Sequence, residues 1–145
     1  MIVIKPPAIA RGIAVATVRM IIQSGLHIVS KKSITLNEEE ATRLYTKHIG
    51  RDYEPWLIEQ ITSGPCLAIL VEGDNAAKRA RDLAGPTAPE KARETAPDSI
   101  RAKLSPADET FARSREELRA VDNAVHTPDP DEPGAVERET KIFFP

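Results

Sequence analysis

Two apolar runs and one alternating segment predict the main strands of the chain. Ile2–Ile4 is a short apolar strand that ends at two prolines, which cannot supply hydrogen-bond donors to a sheet. The uninterrupted apolar run 66–71 predicts a central strand covered on both faces. In the segment 26–36 the apolar positions share one parity, which is typical of an edge strand with one solvated face. A final short strand is predicted at 123–126.

Helix signals fall between these strands. Asn37, followed by acids and by Glu40 at the capping-box position, predicts a helix that runs to about His48. Asp74 is the predicted cap of a later helix, and Ser114 the predicted cap of a short one within an otherwise irregular stretch that ends near residue 122. The helix after Asp74 is predicted over 75–84, and further helices are predicted over 12–24 and 54–61. The end of the chain, 137–144, is predicted as a helix or an extended tail.

The order of these elements predicts the fold class. Strand, helix, strand, helices, strand, helix and strand form a repeated split βαβ unit, the ferredoxin-like βαββαβ arrangement. We therefore expect one α+β domain over residues 1–145, with a four-stranded antiparallel sheet covered by helices. The first and third strands of that arrangement are central, and they correspond to the two fully apolar runs.

Composition narrows the classes of partner. With 20 basic and 22 acidic residues the net charge is −2, so no basic surplus indicates nucleic acid or an anionic membrane as a partner. No apolar stretch approaches the roughly 20 residues of a membrane span. Cys66 is the only cysteine, which excludes an intramolecular disulfide; its apolar surroundings predict a buried, inert thiol and weakly favour a reducing compartment.

Polar residues suited to binding phosphate stand at the ends of predicted elements. They are one lysine, two arginines, one threonine, one asparagine and one histidine: Lys5, Arg81, Thr87, Arg101, Asn123 and His126. Arginine offers a bidentate fork for phosphate, and a neutral histidine can be a nucleophile. Each also has an ordinary interpretation, such as a strand-end charge at Lys5 or an ion pair of Arg101 with Asp98. His27 and His48 are interpreted as structural or surface residues.

Six short motifs follow one another along the whole chain. They are Ile4-Lys5-Pro6 with Arg11-Gly12, Ser63-Gly64-Pro65, Gly85-Pro86-Thr87, Pro97-Asp98-Ser99-Ile100-Arg101, Asn123-Ala124-Val125-His126 and Glu137-Arg138-Glu139. Each fragment is weak alone, but their shared order is specific. In this order the chain resembles the nucleoside diphosphate kinase family from end to end.

The resemblance implies a catalytic set and a nucleotide-binding set. His126 would accept a phosphate and pass it on, Glu139 would orient the imidazole, and Lys5 would act beside them. Tyr53 would stack under the base without reading its identity. The implied nucleotide-binding residues are Lys5, Tyr45, Tyr53, Arg81, Thr87, Arg101 and Asn123. No residue is assigned as a metal ligand, because the implied cofactor, Mg²⁺, would be held mainly by the phosphates.

The sequence departs from the family pattern in four places. Pro7 stands where the family has an aspartate, and Thr127-Pro128 replace the glycine and serine after the histidine. The segment 102–122 is longer than the corresponding loop and is predicted to be an extended, solvated loop. An insertion within 92–97 resembles a divergent branch that includes members built into cilia and flagella.

These features support one principal hypothesis and two rivals. The principal hypothesis is a kinase that moves the terminal phosphate of a nucleoside triphosphate to a nucleoside diphosphate by a ping-pong mechanism through phospho-His126. The rivals are a non-catalytic docking module of a larger protein assembly, such as an axoneme, and a nucleotide sensor without turnover. The expected partners are nucleoside di- and triphosphates and further copies of the chain, with no membrane or specific nucleic acid. The expected location is the cytoplasm, with a cilium or flagellum as the alternative.

Overall fold

A computed structural model describes all 145 residues. The strands are β1 (Ile2–Ile4), β2 (His27–Ile34), β3 (Cys66–Glu72) and β4 (Val125–His126). The helices are α1 (Pro6–Ala10), α2 (Ala14–Gln23), α3 (Glu38–Leu44), α4 (Glu54–Thr62), α5 (Ala76–Ala84), α6 (Pro89–Thr95), α7 (Ile100–Leu104), α8 (Phe111–Glu116) and α9 (Ala135–Phe143). A 3₁₀ turn over Thr46–His48 follows α3.

The four strands form one antiparallel sheet in the order β2-β3-β1-β4. This order confirms the predicted ferredoxin-like α+β fold, with β1 and β3 at the centre. It also confirms β2 as an edge strand, which carries an irregularity between Ile28 and Ser30. On β4, His126 lies opposite Val3, so the last strand brings the predicted nucleophile beside the first.

Helices bury both faces of the sheet. Because successive side chains of a strand point to opposite faces, Ile2 and Ile4 enter one core and Val3 enters the other. The first core includes residues of α2, α5 and α7, and the second includes residues of α3, α4 and α9. Cys66 is buried in the second core, and burial raises the pKa of its thiol to about 11, so the predicted inert thiol is confirmed.

Local capping explains which helix predictions hold. The Asn37 side chain accepts from the Glu40 backbone N–H at 2.9 Å and the Glu40 carboxylate accepts from Asn37 N–H at 3.0 Å, which confirms the capping box. That helix ends earlier than predicted, at Leu44. The predicted Asp74 cap is wrong, because α5 begins at Ala76 and the residue before it, at φ 51°, makes no capping bond.

The segment after Gly85 is folded rather than irregular. It contains α6, α7 and α8, so the prediction of an extended loop over 102–122 is corrected. The short helix there begins at Phe111, capped by Thr110, whose hydroxyl accepts from the Arg113 N–H at 3.0 Å; Ser114 lies inside the helix. The sequence analysis used Pro6 and Pro7 only to end the first strand and missed helix α1, which begins at Pro6. Proline is favourable in the first turn of a helix, because the backbone N–H groups there have no partner within the helix.

The structure also describes the end of the chain and the character of its helices. The end of the chain, left as helix or extended tail, forms α9. No helix of the protein combines the length and the apolar character that crossing a membrane requires.

Candidate active site

One cleft of about 400 Å³ gathers every residue predicted for the site. It lies where β1 and β4 end and is bordered by α4, α5, α7, α8 and α9. The predicted residues that line it are Lys5, Tyr45, Tyr53, Arg81, Thr87, Arg101, Asn123, His126 and Glu139. Side chains from the first strand to the last helix therefore meet in one place, as the phosphate-binding hypothesis requires.

The imidazole of His126 is held from one side only. Its Nε2 lies 2.7 Å from Oε2 of Glu139, whose side chain is 6% exposed. The ring's Nδ1 makes no hydrogen bond within the chain and is not sealed from solvent. Burial lowers the pKa of His126, against the opposing effect of Glu139, which favours a neutral ring. With Nε2–H donated to the carboxylate, the lone pair on Nδ1 is free to attack an electrophile.

A row of aromatic rings continues from the histidine along the cleft. Tyr45 packs edge-on against His126, with ring centroids 5.6 Å apart, and also against His48 at 5.9 Å. His48 Nδ1 lies 2.9 Å from the hydroxyl of Tyr53. His48 was interpreted as an ordinary residue and its place in the cleft was missed; the signal that could have found it is its position between two site tyrosines.

Two arginines form the cationic wall. Arg101 is buried and donates to the carbonyls of Gly85 at 2.7 Å and Val125 at 2.8 Å, while its Nε has no partner. Burial, followed by the nearby Arg81, lowers the pKa of Arg101 to about 9. The alternative ion pair of Arg101 with Asp98 does not form, since Asp98 pairs with Lys103 at 3.4 Å.

Lys5 and Asn123 each keep unused hydrogen-bonding capacity at the cleft. Lys5 Nζ donates to Oε1 of Gln60 at 3.1 Å, and burial lowers its pKa to about 7, with Arg101 as a further cause. Asn123 donates to the Thr87 carbonyl at 2.8 Å, but its buried Oδ1 accepts nothing from the chain. A buried amide oxygen without a partner is costly unless a ligand supplies a donor.

Two of the residues that depart from the family pattern, Pro7 and Thr127, have defined places in the fold. Thr127 is buried, and both its carbonyl and its hydroxyl accept from Arg81, at 3.2 and 3.3 Å. Pro7 lies in the first turn of α1. None of these substitutions displaces the predicted residues from the cleft.

The segment 105–122 is anchored by one buried carboxylate. Glu109 accepts from Arg119 in a bidentate pair at 2.8 and 3.0 Å, from the Ser114 hydroxyl at 2.9 Å and from the Asp122 N–H at 3.0 Å. Arg11 holds Asp122 in turn, at 2.9 and 3.0 Å. Glu109 was predicted to be one of several solvated charges. This prediction is wrong, because the side chain is buried and both carboxylate oxygens accept hydrogen bonds.

The cleft contains no ready-made metal cage. No group of three or more His, Cys, Asp or Glu side chains could hold an ion without further ligands. Apart from Glu139, the carboxylates that line the cleft are those of Asp129 and Glu132. A divalent cation there would need oxygen ligands from a bound phosphate, which is how Mg²⁺ commonly binds beside one or two carboxylates.

A ferredoxin-like sheet that ends in an oriented imidazole, with Lys5 and Arg101 buried beside it, has the residue types that a phosphotransferase needs. The family model described as "Nucleoside diphosphate kinase" matches residues 1–145. The chain belongs to this family. It is 38% identical over 143 residues to a nucleoside diphosphate kinase of Ignicoccus hospitalis, covering 99% of this chain and 86% of that protein.

Two further relatives agree with this assignment. A nucleoside diphosphate kinase of Metallosphaera sedula is 33% identical over 143 residues, covering 99% of this chain and 90% of the relative. Among solved structures, the nucleoside-diphosphate kinase of Borrelia burgdorferi, a transition state mimic with bound vanadate and ADP, superposes with a TM-score of 0.86 at 26% identity, covering 99% and 84% of the two chains.

Proposed function

We propose that this phosphotransferase moves the terminal phosphate of a nucleoside triphosphate to a nucleoside diphosphate through phospho-His126. The single observation that carries the proposal is the state of the imidazole. Glu139 holds Nε2, Nδ1 is free, and the ring stands in a cleft lined by Lys5, Arg81 and Arg101. A neutral, oriented nucleophile among cations is the arrangement that phosphoryl transfer needs.

The two half-reactions balance in atoms and electrons. The Nδ1 lone pair of His126 forms a bond to the γ-phosphorus while the bond from that phosphorus to the β–γ bridging oxygen breaks. The electron pair leaves with the nucleoside diphosphate, which departs. A second diphosphate then attacks the phosphohistidine with its terminal oxygen and regenerates the free imidazole. Arg81 and Arg101 neutralise charge on the transferring phosphoryl group, and Glu139 stabilises the positive charge that develops on the ring.

The remaining cleft residues suit the other parts of a nucleotide. Asn123 offers an unpaired acceptor and Lys5 a donor for ribose hydroxyls or phosphate oxygens. Tyr45 and Thr87 add hydroxyls for phosphate, and Tyr53 provides an aromatic face for a base. Support comes from the Borrelia burgdorferi relative, which holds ADP and vanadate.

Mg²⁺ fits this cleft as an ion that arrives with the nucleotide. When bound to the phosphates it would neutralise their charge, and any carboxylate ligand would have to come from Asp129 or Glu132, which line the cleft and pair with Lys47 and Arg138 in the structure. The chain's own contribution is to hold the phosphates with Arg81 and Arg101. Self-association and action in the cytoplasm are part of the proposal, whereas no observation favours a cilium or flagellum.

Phosphoenzyme labelling tests the proposal directly. The protein is incubated with γ-labelled ATP and Mg²⁺, and acid-labile, base-stable label on the chain is measured before and after addition of GDP. We expect labelling of the wild type, discharge by GDP and no label on His126→Ala. His27→Ala is the matched control, because His27 is an exposed histidine of the edge strand outside the cleft and should leave labelling unchanged.

The same experiment separates the rivals. Nucleotide binding without label on the wild type would indicate a sensor and contradict the kinase proposal. Neither binding nor label would indicate a docking module. Label that survives in His126→Ala would place the phosphate on another residue and refute the proposed mechanism.

A further inference from the structure

One wall of the cleft comes from a segment that carries none of the family-like motifs. Helix α8 places Phe111, Ser114 and Arg115 along the cleft, and the chain that follows adds Arg119 and two apolar residues. The motifs that precede and follow this segment end at Arg101 and resume at Asn123. Helix α8 therefore lines the cleft without carrying any residue that the motifs assign to the site.

Hydrogen bonds on either side of α8 fix the position of this helix. The buried Glu109 network ties the beginning of the segment to its end, and Gln60 of α4 donates to the carbonyls of Ala120 and Val121 at 3.2 and 3.1 Å. Since α4 and the segment are joined at Gln60, the cleft opens between the earlier turns of α4 and α8. Tyr53 and Trp56 line the α4 side of that opening.

Arg115 is the one arginine of this segment with a free guanidinium. Arg113 pairs with Asp108 and Glu117, and Arg119 pairs with Glu109 and Glu117. The guanidinium of Arg115 forms no hydrogen bond or ion pair within the chain, although the residue is exposed and lines the cleft. The anchored helix therefore places a guanidinium with all its donors unused at the cleft, where it is available to a ligand.

The position of Arg115 indicates which part of a nucleotide it would meet. The phosphate-binding cations are tied to the histidine end: Arg81 bonds to Thr127, and Arg101 bonds to Val125. A nucleotide whose phosphates lie there would extend its base toward Tyr53, the residue before α4, and toward α8, since these line the same cleft. In that pose Arg115 would meet the base rather than the transferring phosphate.

We propose that Arg115 reads the nucleobase and favours guanine, by donating two hydrogen bonds to its O6 and N7 acceptors. This inference rests on the proposed nucleotide site and names a specificity residue within it. Guanine presents two adjacent acceptors that match the arginine fork, whereas adenine presents N7 beside an amino donor. Cytosine and uracil lack the N7 edge altogether. Tyr53 would bind all bases, and Arg115 would add the discrimination among them.

Calorimetric titration of the full chain with diphosphates tests this assignment. We expect Arg115→Ala to weaken GDP binding roughly tenfold, which corresponds to about 1.4 kcal/mol, while ADP and CDP change less than about twofold. Inosine diphosphate, which keeps O6 and N7, should follow GDP, and 7-deaza-GDP should lose most of the effect. Arg115→Lys keeps the charge but loses the fork, so it should also lose the guanine preference.

The control is Arg19→Ala, which removes an exposed, unpaired arginine of α2 outside the cleft. An equal loss for GDP, ADP, CDP and inorganic tripolyphosphate would show a phosphate contact and overturn the proposal, as would unchanged GDP affinity in Arg115→Ala. Either result leaves phosphohistidine labelling at His126 intact, so this inference can fail alone. Failure of the wild type to bind any nucleotide would refute the proposed function and this inference together.

Discussion

The contact between Glu139 and His126 yields the sharpest quantitative prediction. The Nε2–Oε2 distance is 2.7 Å and the carboxylate is almost fully shielded from water. Replacing Glu139 by Gln keeps the shape and removes the charge. A hydrogen bond to an ionised group contributes about 1.5–3 kcal/mol, and about 1.4 kcal/mol changes a rate tenfold. We therefore expect the rate of phosphohistidine formation to fall roughly 10- to 100-fold.

A second physical effect acts in the same direction. The side-chain amide introduced by Glu139→Gln can donate its N–H₂ to Nε2, which moves the ring proton to Nδ1 and blocks the attacking lone pair. Rapid-quench measurement of a single turnover with labelled ATP isolates this step, because product release does not contribute. Titration with ADP checks separately that nucleotide affinity is unchanged.

The matched control is Glu137→Gln on the same helix. Glu137 is exposed and pairs with Lys141 at 2.6 Å, far from the imidazole, so the single-turnover rate should not change. A Glu139→Gln rate within about twofold of the wild type, at normal affinity, would show that the carboxylate has no part in the reaction. The orientation argument for His126 would then be wrong.

Three further predictions follow from the same contacts. Because burial lowers the pKa of His126 from its ordinary value of 6.5 and its neutral form is reactive, the rate of phosphoenzyme labelling at ATP well below saturation should decline with falling pH around a midpoint below 6.5; a midpoint above 6.5 would contradict this. The pKa of Lys5 is lowered to about 7, so the charge of its ammonium group is lost as the pH rises through that value. ADP affinity measured below and above pH 7 should therefore weaken with rising pH in the wild type but not in Lys5→Met. Glu109→Ala removes the acceptor of the buried Ser114 hydroxyl and of the Asp122 N–H, so it should lower the free energy of unfolding by about 1–3 kcal/mol in urea titration. Replacing the exposed, unpaired Glu116 by Ala should change it by less than about 0.5 kcal/mol, and equal values for the two variants would refute the anchoring role.

The central sheet was predictable because its signals are local. The continuous apolar run 66–71 needs cover on both faces wherever it lies, and the parity of 26–36 marks one wet face. The capping box at Asn37 depends only on neighbours three residues apart. These features follow from the chain itself, so the structure confirms them.

The segment after Gly85 was not predictable from periodicity. Helices α6, α7 and α8 have between five and seven residues, which is less than two turns and too short to show an apolar stripe. Their starts are marked instead by Pro89, by the Ser99 cap and by the Thr110 cap. Asp74 does not cap α5, because the residue directly before the helix is Asn75, whose backbone is left-handed at φ 51°.

The order of the motifs predicted which residues line the cleft, but it did not predict the hydrogen bonds and ion pairs that those residues and their neighbours make. Nothing near Glu109 in sequence shows that it is buried, since its partners Arg119 and Asp122 are reached only after the segment folds back. Likewise, the sequence does not show that Arg115 is unpaired, because this depends on Glu117 pairing with Arg113 and on Glu109 pairing with Arg119. Long-range pairing of this kind is decided by tertiary structure.

The hydrogen bonds from Arg101 to Gly85 and Val125 limit how this protein can change over evolution. The same guanidinium ties the turn after α5 to the last strand and presents charge to the cleft, so a lineage cannot discard it without loosening the architecture. The imidazole of His126 joins only β4 to Glu139 of α9, through one hydrogen bond. A descendant that abandoned catalysis for another role would be expected to lose the histidine first and to retain the arginine long afterwards, as a relic of the ancestral chemistry.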